Sequence, residues 1–231
     1  MPSVIRRRDF FLQSAATASL FAASSGKLSH KERVQRALKG EEVDRPPFSF
    51  WHHFGLKTPE AHAQATLDFH RAYRTDIVKV MSDFPYPKPS GQWHELKVEK
   101  NPFPQQLQAL KLIRDGLSGQ AYFIETLFNP WNVAEKLSSK EEVLRLKNEN
   151  PKALLAALDV ITESEIYHAK RAIDLGAAGI LLAVANANRT ALTPEDYGKF
   201  SAPFDRRILQ AVSSAKLNFL HAHWRATTSA S

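Results

Sequence analysis

Five short apolar runs in this chain each end on groups that can hold a proton or bind charge. His52 and His53 close the aromatic run 48–54, and Asp83 follows the run 77–81. Glu125 and Thr126 fall late in 121–127, Asn186 and Asn188 follow 179–185, and His221 and His223 close 217–223. A protonated imidazole can hold an anion, though less firmly than a two-pronged guanidinium. His221 and His223 are two residues apart, so a strand would project both from one face. Two imidazoles fall short of the four ligands zinc takes, and no metal is assigned to them. The chain has no cysteine, which excludes disulfides, thiolate metal ligands and a thiol nucleophile. Any one of these groups can equally be a polar side chain that satisfies a turn or finds a buried partner. Their recurrence at the same end of five runs is what points to a site.

The segments between the runs read as helices. Ser29-His30-Lys31-Glu32 is a capping box, and Gly40 suits the end of the helix it starts. Thr58-Pro59-Glu60 opens a second helix, with Thr as cap and Pro in the first turn. The stretch 84–104 is rich in proline and reads as a long loop with a β excursion near 93–98. Helices are expected over about 105–115, from the capping box Ser139-Lys140-Glu141-Glu142, over about 152–175, and from Thr193-Pro194 to about 215. The run 179–185 is apolar throughout, as in a parallel sheet covered on both faces. Strand and helix thus alternate five times without hairpin signals, which predicts parallel βα units. No glycine-rich phosphate loop follows the first run, so a barrel of the TIM type is favoured over a dinucleotide-binding sheet. In such barrels the site lies at the C-terminal ends of the strands, where the polar groups fall.

Lys and Arg number 31 against 24 Asp and Glu, for a net charge of +7. The basic residues are dispersed and form no stripe with interleaved aromatics, so nucleic-acid binding is not expected. A mild positive field suits an anionic small-molecule substrate, and surface solubility accounts for it as well. Residues 1–27 order themselves as charged, then apolar, then small, from Arg6-Arg7-Arg8 to Ala22-Ala23-Ser24-Ser25-Gly26. This resembles a twin-arginine export signal and implies an exported or periplasmic protein, with a cytoplasmic one as the alternative. Its apolar part is too short for a stable membrane span.

Several segments resemble the uroporphyrinogen decarboxylase family in order and spacing. Glu32-Arg33-Val34 through Asp44-Arg45-Pro46-Pro47 is similar to the family's first helix and turn, and Asp76 to Asp83 is similar to its second-strand segment. Asn129-Pro130-Trp131 through Leu137 resembles its Pro-Trp turn, and Leu175 to Ile180 with Tyr197 to Phe204 its fourth strand and following helix. The resemblance implies a cofactor-free decarboxylation of acetate side chains on a tetrapyrrole or related carboxylated substrate. A pyrrole ring is protonated, the acetate loses CO₂, and the carbon is reprotonated. It implies that Asp83 is the catalytic carboxylate, stabilising the cationic intermediate. Where the family carries an Arg-Gln-Ala-Gly-Arg-Tyr run, this chain has His52-His53-Phe54-Gly55-Leu56-Lys57. Lys136 stands at the family's tyrosine and Ala185 near its serine. His52, His53, His221 and His223 are therefore the candidate substrate-binding groups beside Asp83.

The expected architecture is an incomplete parallel (β/α) barrel over residues 28–231 with about five βα units, against the eight strands of a closed one. An open sheet of that kind would expose its edges and part of its inner face. A homodimer or a complementary fragment would cover them. Two functional alternatives stand beside the decarboxylase: an inactive or binding barrel, and a relative of the cobalamin-dependent methyltransferases, which resemble this family and use zinc held by His and Cys.

Overall fold

The computed structural model describes residues 26–189 and 191–222. Residues 1–25 of the export-signal segment 1–27 and the site candidate His223 lie outside the described residues. Four strands form one parallel sheet in chain order: β1 (Ile77–Val80), β2 (Tyr122–Phe128), β3 (Ile180–Val184) and β4 (Phe219–Ala222). Helix α1 (His30–Leu38) precedes α2 (Pro59–Tyr73), which leads into β1; α3 (Pro104–Leu117) connects β1 to β2. Three helices, α4 (Pro130–Leu137), α5 (Lys140–Glu149) and α6 (Pro151–Asp174), separate β2 from β3, and α7 (Pro194–Phe200) and α8 (Ala202–Ala211) precede β4.

Helix starts follow the capping residues. Ser29, Thr58, Ser139 and Thr193 each accept a backbone N–H three residues on. The two capping boxes are only half used: Glu32 turns to Arg36, and Glu142 to Arg145 and Trp93. Asn129 caps α4 in the same way, with Pro130 in the first turn.

Alternation along the strands builds two faces. Ile77, Ile124, Leu181 and Ala183 turn inward and pack on Val34 of α1, which closes the N-terminal end. Val78, Val80 and Phe123 turn outward onto α2 and α3. Leu127, Ile180, Leu182 and Val184 turn outward onto α6 and α8. Each such fully buried aliphatic side chain contributes about 1.5–3 kcal/mol. Gly179 is required where β3 begins, since a Cβ there would lie 1.9 Å from the Leu217 carbonyl oxygen.

Two expectations need correcting. The run 48–54 is not a regular strand. It lies against β1, with Phe48 O accepting from Asp76 N–H and Ser49 Oγ donating to Ile77 O, but then makes no ladder. Pro46 and Pro47 supply no N–H to one, and aromatic content alone does not pair a strand. No strand forms over 93–98 either. The inner face is buried over β1 to β3 and stays partly open at β4, where Phe219, in register with Leu181, is exposed, as an open sheet requires. The sheet curls until Trp51, from the segment beside β1, meets His221 of β4 edge to face, ring centroids 5.8 Å apart. At the seam between those edges Phe50, Trp51, Phe219 and Leu220 lie open.

Asp76 ties the base together. Its carboxylate accepts from Arg33 Nη1 (2.6 Å), Arg45 Nη1 (2.5 Å), His30 Nδ1 (3.0 Å) and the Phe48 amide (3.0 Å). Burial alone would raise its pKa; these donors outweigh burial and hold it at about 2. The Arg33…Asp44-Arg45…Asp76 pattern is thus a structural clamp between α1, the turn after it and β1.

Candidate active site at the C-terminal end of the sheet

Asp83 lies three residues beyond β1, its side chain 6% exposed. Oδ1 is 2.5 Å from His53 Nδ1, and Oδ2 accepts from the amides of Phe54 (3.2 Å) and Gly55 (3.4 Å). An ionised carboxylate only accepts, so the His53 imidazole is the donor. Asp83 thereby fixes the 53–55 turn over the mouth, and His53 remains open to solvent. On the inner side, His62 of α2 is fully buried between the rings of Phe54 and Phe84, with Nδ1 3.7 Å from Asp83 Oδ2. Neither of its ring nitrogens makes a hydrogen bond, and burial lowers its pKa.

Of the candidate groups His52 and His53, the structure brings only His53 to Asp83. His52 is exposed and stacks edge-on against Phe54. His221 sits across the mouth against Trp51, away from the Asp83 pair's hydrogen bonds. Glu125 leaves the site altogether. It shares parity with Phe123 and Leu127, so it turns outward, where His168 Nε2 (2.9 Å) and Gln106 Nε2 (3.0 Å) engage it. Gln106 also donates to Met81 O (3.1 Å), linking that layer to the end of β1. Asn186 and Asn188 hold loops: Asn129 Nδ2 donates to Asn186 Oδ1 (2.9 Å), and Asn188 Nδ2 to Ala185 O (3.0 Å).

Three titratable groups near the mouth were not singled out from the sequence as functional. Lys79 points inward from β1, 7% exposed, with its ammonium 4.5 Å from the Trp51 ring centroid and 2.9 Å from Met81 Sδ. Burial lowers its pKa to about 8, against the pull of Glu125 and Asp83. Lys136, noted only as a departure from the family's tyrosine, lies over the Phe128 ring. The residue is exposed as a whole, and desolvation lowers its pKa to about 8 against the pull of Glu165 and Asp83. Glu165 of α6 is fully enclosed; burial and the nearby Glu125 raise its pKa to about 8, and Lys136 pulls the other way. A lysine inside the apolar run 77–81, and an acid on the buried stripe of α6, were the available signals.

Among the described residues no group of three or more His, Asp or Glu side chains is placed to hold a metal.

A parallel α/β layer with acid–base groups gathered where its strands end is the arrangement of a (β/α) barrel fold. A family model described as uroporphyrinogen decarboxylase (URO-D) matches residues 84–229, more than half of the chain. The chain belongs to the uroporphyrinogen decarboxylase family. It is 25% identical over 125 residues to a methylated-thiol–coenzyme M methyltransferase of Methanosarcina mazei, covering 54% of this chain and 34% of that protein. It is 26% identical over 139 residues to a uroporphyrinogen decarboxylase of Pseudoalteromonas atlantica, covering 55% of this chain and 39% of that protein. Among solved structures, a methyltransferase from Methanosarcina mazei superposes with a TM-score of 0.69 at 20% identity, covering 85% of this chain and 70% of the other. That likeness shows the fold. The chain spans well under half the length of the curated relatives it matches.

Proposed function

We propose that the mouth around Asp83 is a decarboxylase-type site that acts, without a cofactor, on acetate side chains of a tetrapyrrole or a related carboxylated small molecule. The observation that carries this is the setting of Asp83: almost enclosed, at a strand end, fixed by two backbone amides and His53. Each carboxylate oxygen has two lone pairs, so acceptor capacity remains for a substrate N–H. In the reaction a ring carbon takes up a proton, and the resulting cation is spread over the ring and its N–H groups. The carbon–carbon bond to the carboxylate breaks, CO₂ leaves, and its electron pair quenches the ring cation. The exocyclic carbon then takes a second proton while the ring returns its first, so each carboxylate consumes one proton net. A fixed anion facing the cation favours the transition state over the neutral ground state. Solvent-exposed His53, hydrogen-bonded to Asp83, offers a route for protons from water. The ammonium groups of Lys79 and Lys136 supply positive potential for a carboxylated substrate.

The test gives the full chain uroporphyrinogen and counts product carboxyl groups. The expected result is stepwise loss of carboxyls that Asp83→Asn abolishes and His53→Ala slows. No turnover, or equal turnover by Asp83→Asn, overturns the proposal.

A second reading, methyl transfer, is favoured by the methyltransferase names among the relatives in both sequence and fold. Methyl transfer from a methylated thiol to coenzyme M by the same preparation, with no loss of carboxyls, would establish it over the first. A barrel that binds without turnover would show saturable uroporphyrinogen binding and no product of either kind.

A further inference from the structure

Two buried polar groups on the inner face of the sheet lack the partner their chemistry asks for. Lys79 has an ammonium whose contacts are a thioether sulfur and an indole face, and no carboxylate contacts it among the described residues. Thr126 is 1% exposed and its Oγ1 makes no hydrogen bond. The two lie close together. Val80 pairs with Glu125, which sets the next residues, Met81 and Thr126, side by side and facing inward. The Lys79 ammonium reaches the sulfur of Met81, the residue whose strand position neighbours Thr126 on the same face. The neighbouring strand sets inward-facing Leu181 beside Thr126, with the small Ala183 two residues further along the same face and His221 of β4 in register with Ala183. Trp51 covers the open side.

A buried donor without an acceptor is unfavourable, and a buried charge without a counter-charge more so. Here a cation and a hydroxyl converge, both able to donate. A carboxylate is the complement: one oxygen for the ammonium, the other for the hydroxyl, with the indole face against its apolar end. We propose that Lys79 and Thr126 form an anion site for a small monocarboxylate of about acetate size, inside the mouth and separate from Asp83. Trp51 is its cover. That ring is 45% exposed and sits on a segment without ladder bonds, so it can swing aside at the loss of its contacts with Lys79 and His221. The site does not depend on turnover at Asp83, so binding and activity can fail separately.

The experiment titrates the isotope-labelled full chain with acetate at constant ionic strength and follows the Trp51 indole N–H, assigned with Trp51→Phe. Acetamide, of the same shape and without charge, is the control. The expected result is a saturable shift with acetate and none with acetamide. Lys79→Met, which keeps side-chain length and removes the charge, should weaken acetate tenfold or more, as loss of a charge-assisted bond does. Thr126→Val should weaken it by about fivefold, the equivalent of one neutral hydrogen bond. A linear response, an equal response to acetamide, or unchanged affinity in Lys79→Met means that ordered water alone satisfies these groups and overturns the proposal. If Lys79→Met does not fold, the Thr126→Val titration decides alone: weakened binding supports the site and unchanged binding overturns it.

Discussion

Replacing Glu165 by Gln should stabilise the protein in a manner that grows with pH. Glu165 is fully enclosed, and its neighbours include a second acid, Glu125, and the ammonium of Lys136. Its carboxyl has a pKa of about 8 in the folded chain against an ordinary 4.5. The folded state therefore holds a proton that the unfolded chain releases. Stability is intact below pH 4.5 and is lost progressively as pH rises towards 8. Integrating between those two pKa values gives a loss of about 3–4 kcal/mol on going from pH 5 to pH 8. Gln is the shape of the protonated acid and cannot ionise. Urea unfolding of wild type and Glu165→Gln at both pH values reads the difference directly. The variant should gain less than about 1 kcal/mol over wild type at pH 5, and about 3–4 kcal/mol more than that at pH 8. Comparing the two proteins cancels Asp205, whose pKa burial also raises, to about 6. Parallel stability curves would refute the reasoning, because they would mean that Glu165 ionises as readily in the folded chain as in the unfolded one.

Asp76→Asn should cost about 1.5–3 kcal/mol in the same assay, since it weakens the charged acceptor shared by Arg33, Arg45 and His30 while Arg33 keeps its pair with Asp44; a loss under about 0.5 kcal/mol would show that the clamp is solvated. Asp83→Ala should raise amide hydrogen exchange at Phe54 and Gly55 several-fold while β1 stays protected, and unchanged exchange would detach Asp83 from the turn it is placed to hold.

Much of the fold was readable because apolar runs and helix caps carry their own physical reasons. The run Ile180–Val184 had to be covered on both faces, and Thr58-Pro59 had to open a helix. The run 48–54 misled because aromatic density signals burial without supplying amides in register, and Phe50 and Trp51 prove exposed. Asp83 with His53 was legible in part: the strand end placed the carboxylate, but which of two adjacent histidines would reach it depends on the turn. Glu125 was misassigned to the mouth although its parity with Phe123 and Leu127 held the answer. Lys79 was missed for the opposite reason. Its parity with Ile77 marks it as inward, but lysine is usually a surface residue, and only the curl of the sheet encloses it.

The contact between Trp51 and His221 also bears on how the chain reaches its structure. It joins residues from opposite ends of the described chain, and every strand pairing in the sheet is parallel, so no pairing is made by a local turn. Loop-closure entropy must be met before these contacts form, which makes such topologies slow. During synthesis the 46–54 segment with its two exposed aromatics precedes β4, so the Trp51–His221 contact must wait for that strand. The Trp51 ring over Lys79 is therefore braced by His221 only once β4 is in place. A mutation at the Trp51–His221 seam should then act mainly on the unfolding rate and leave early collapse untouched.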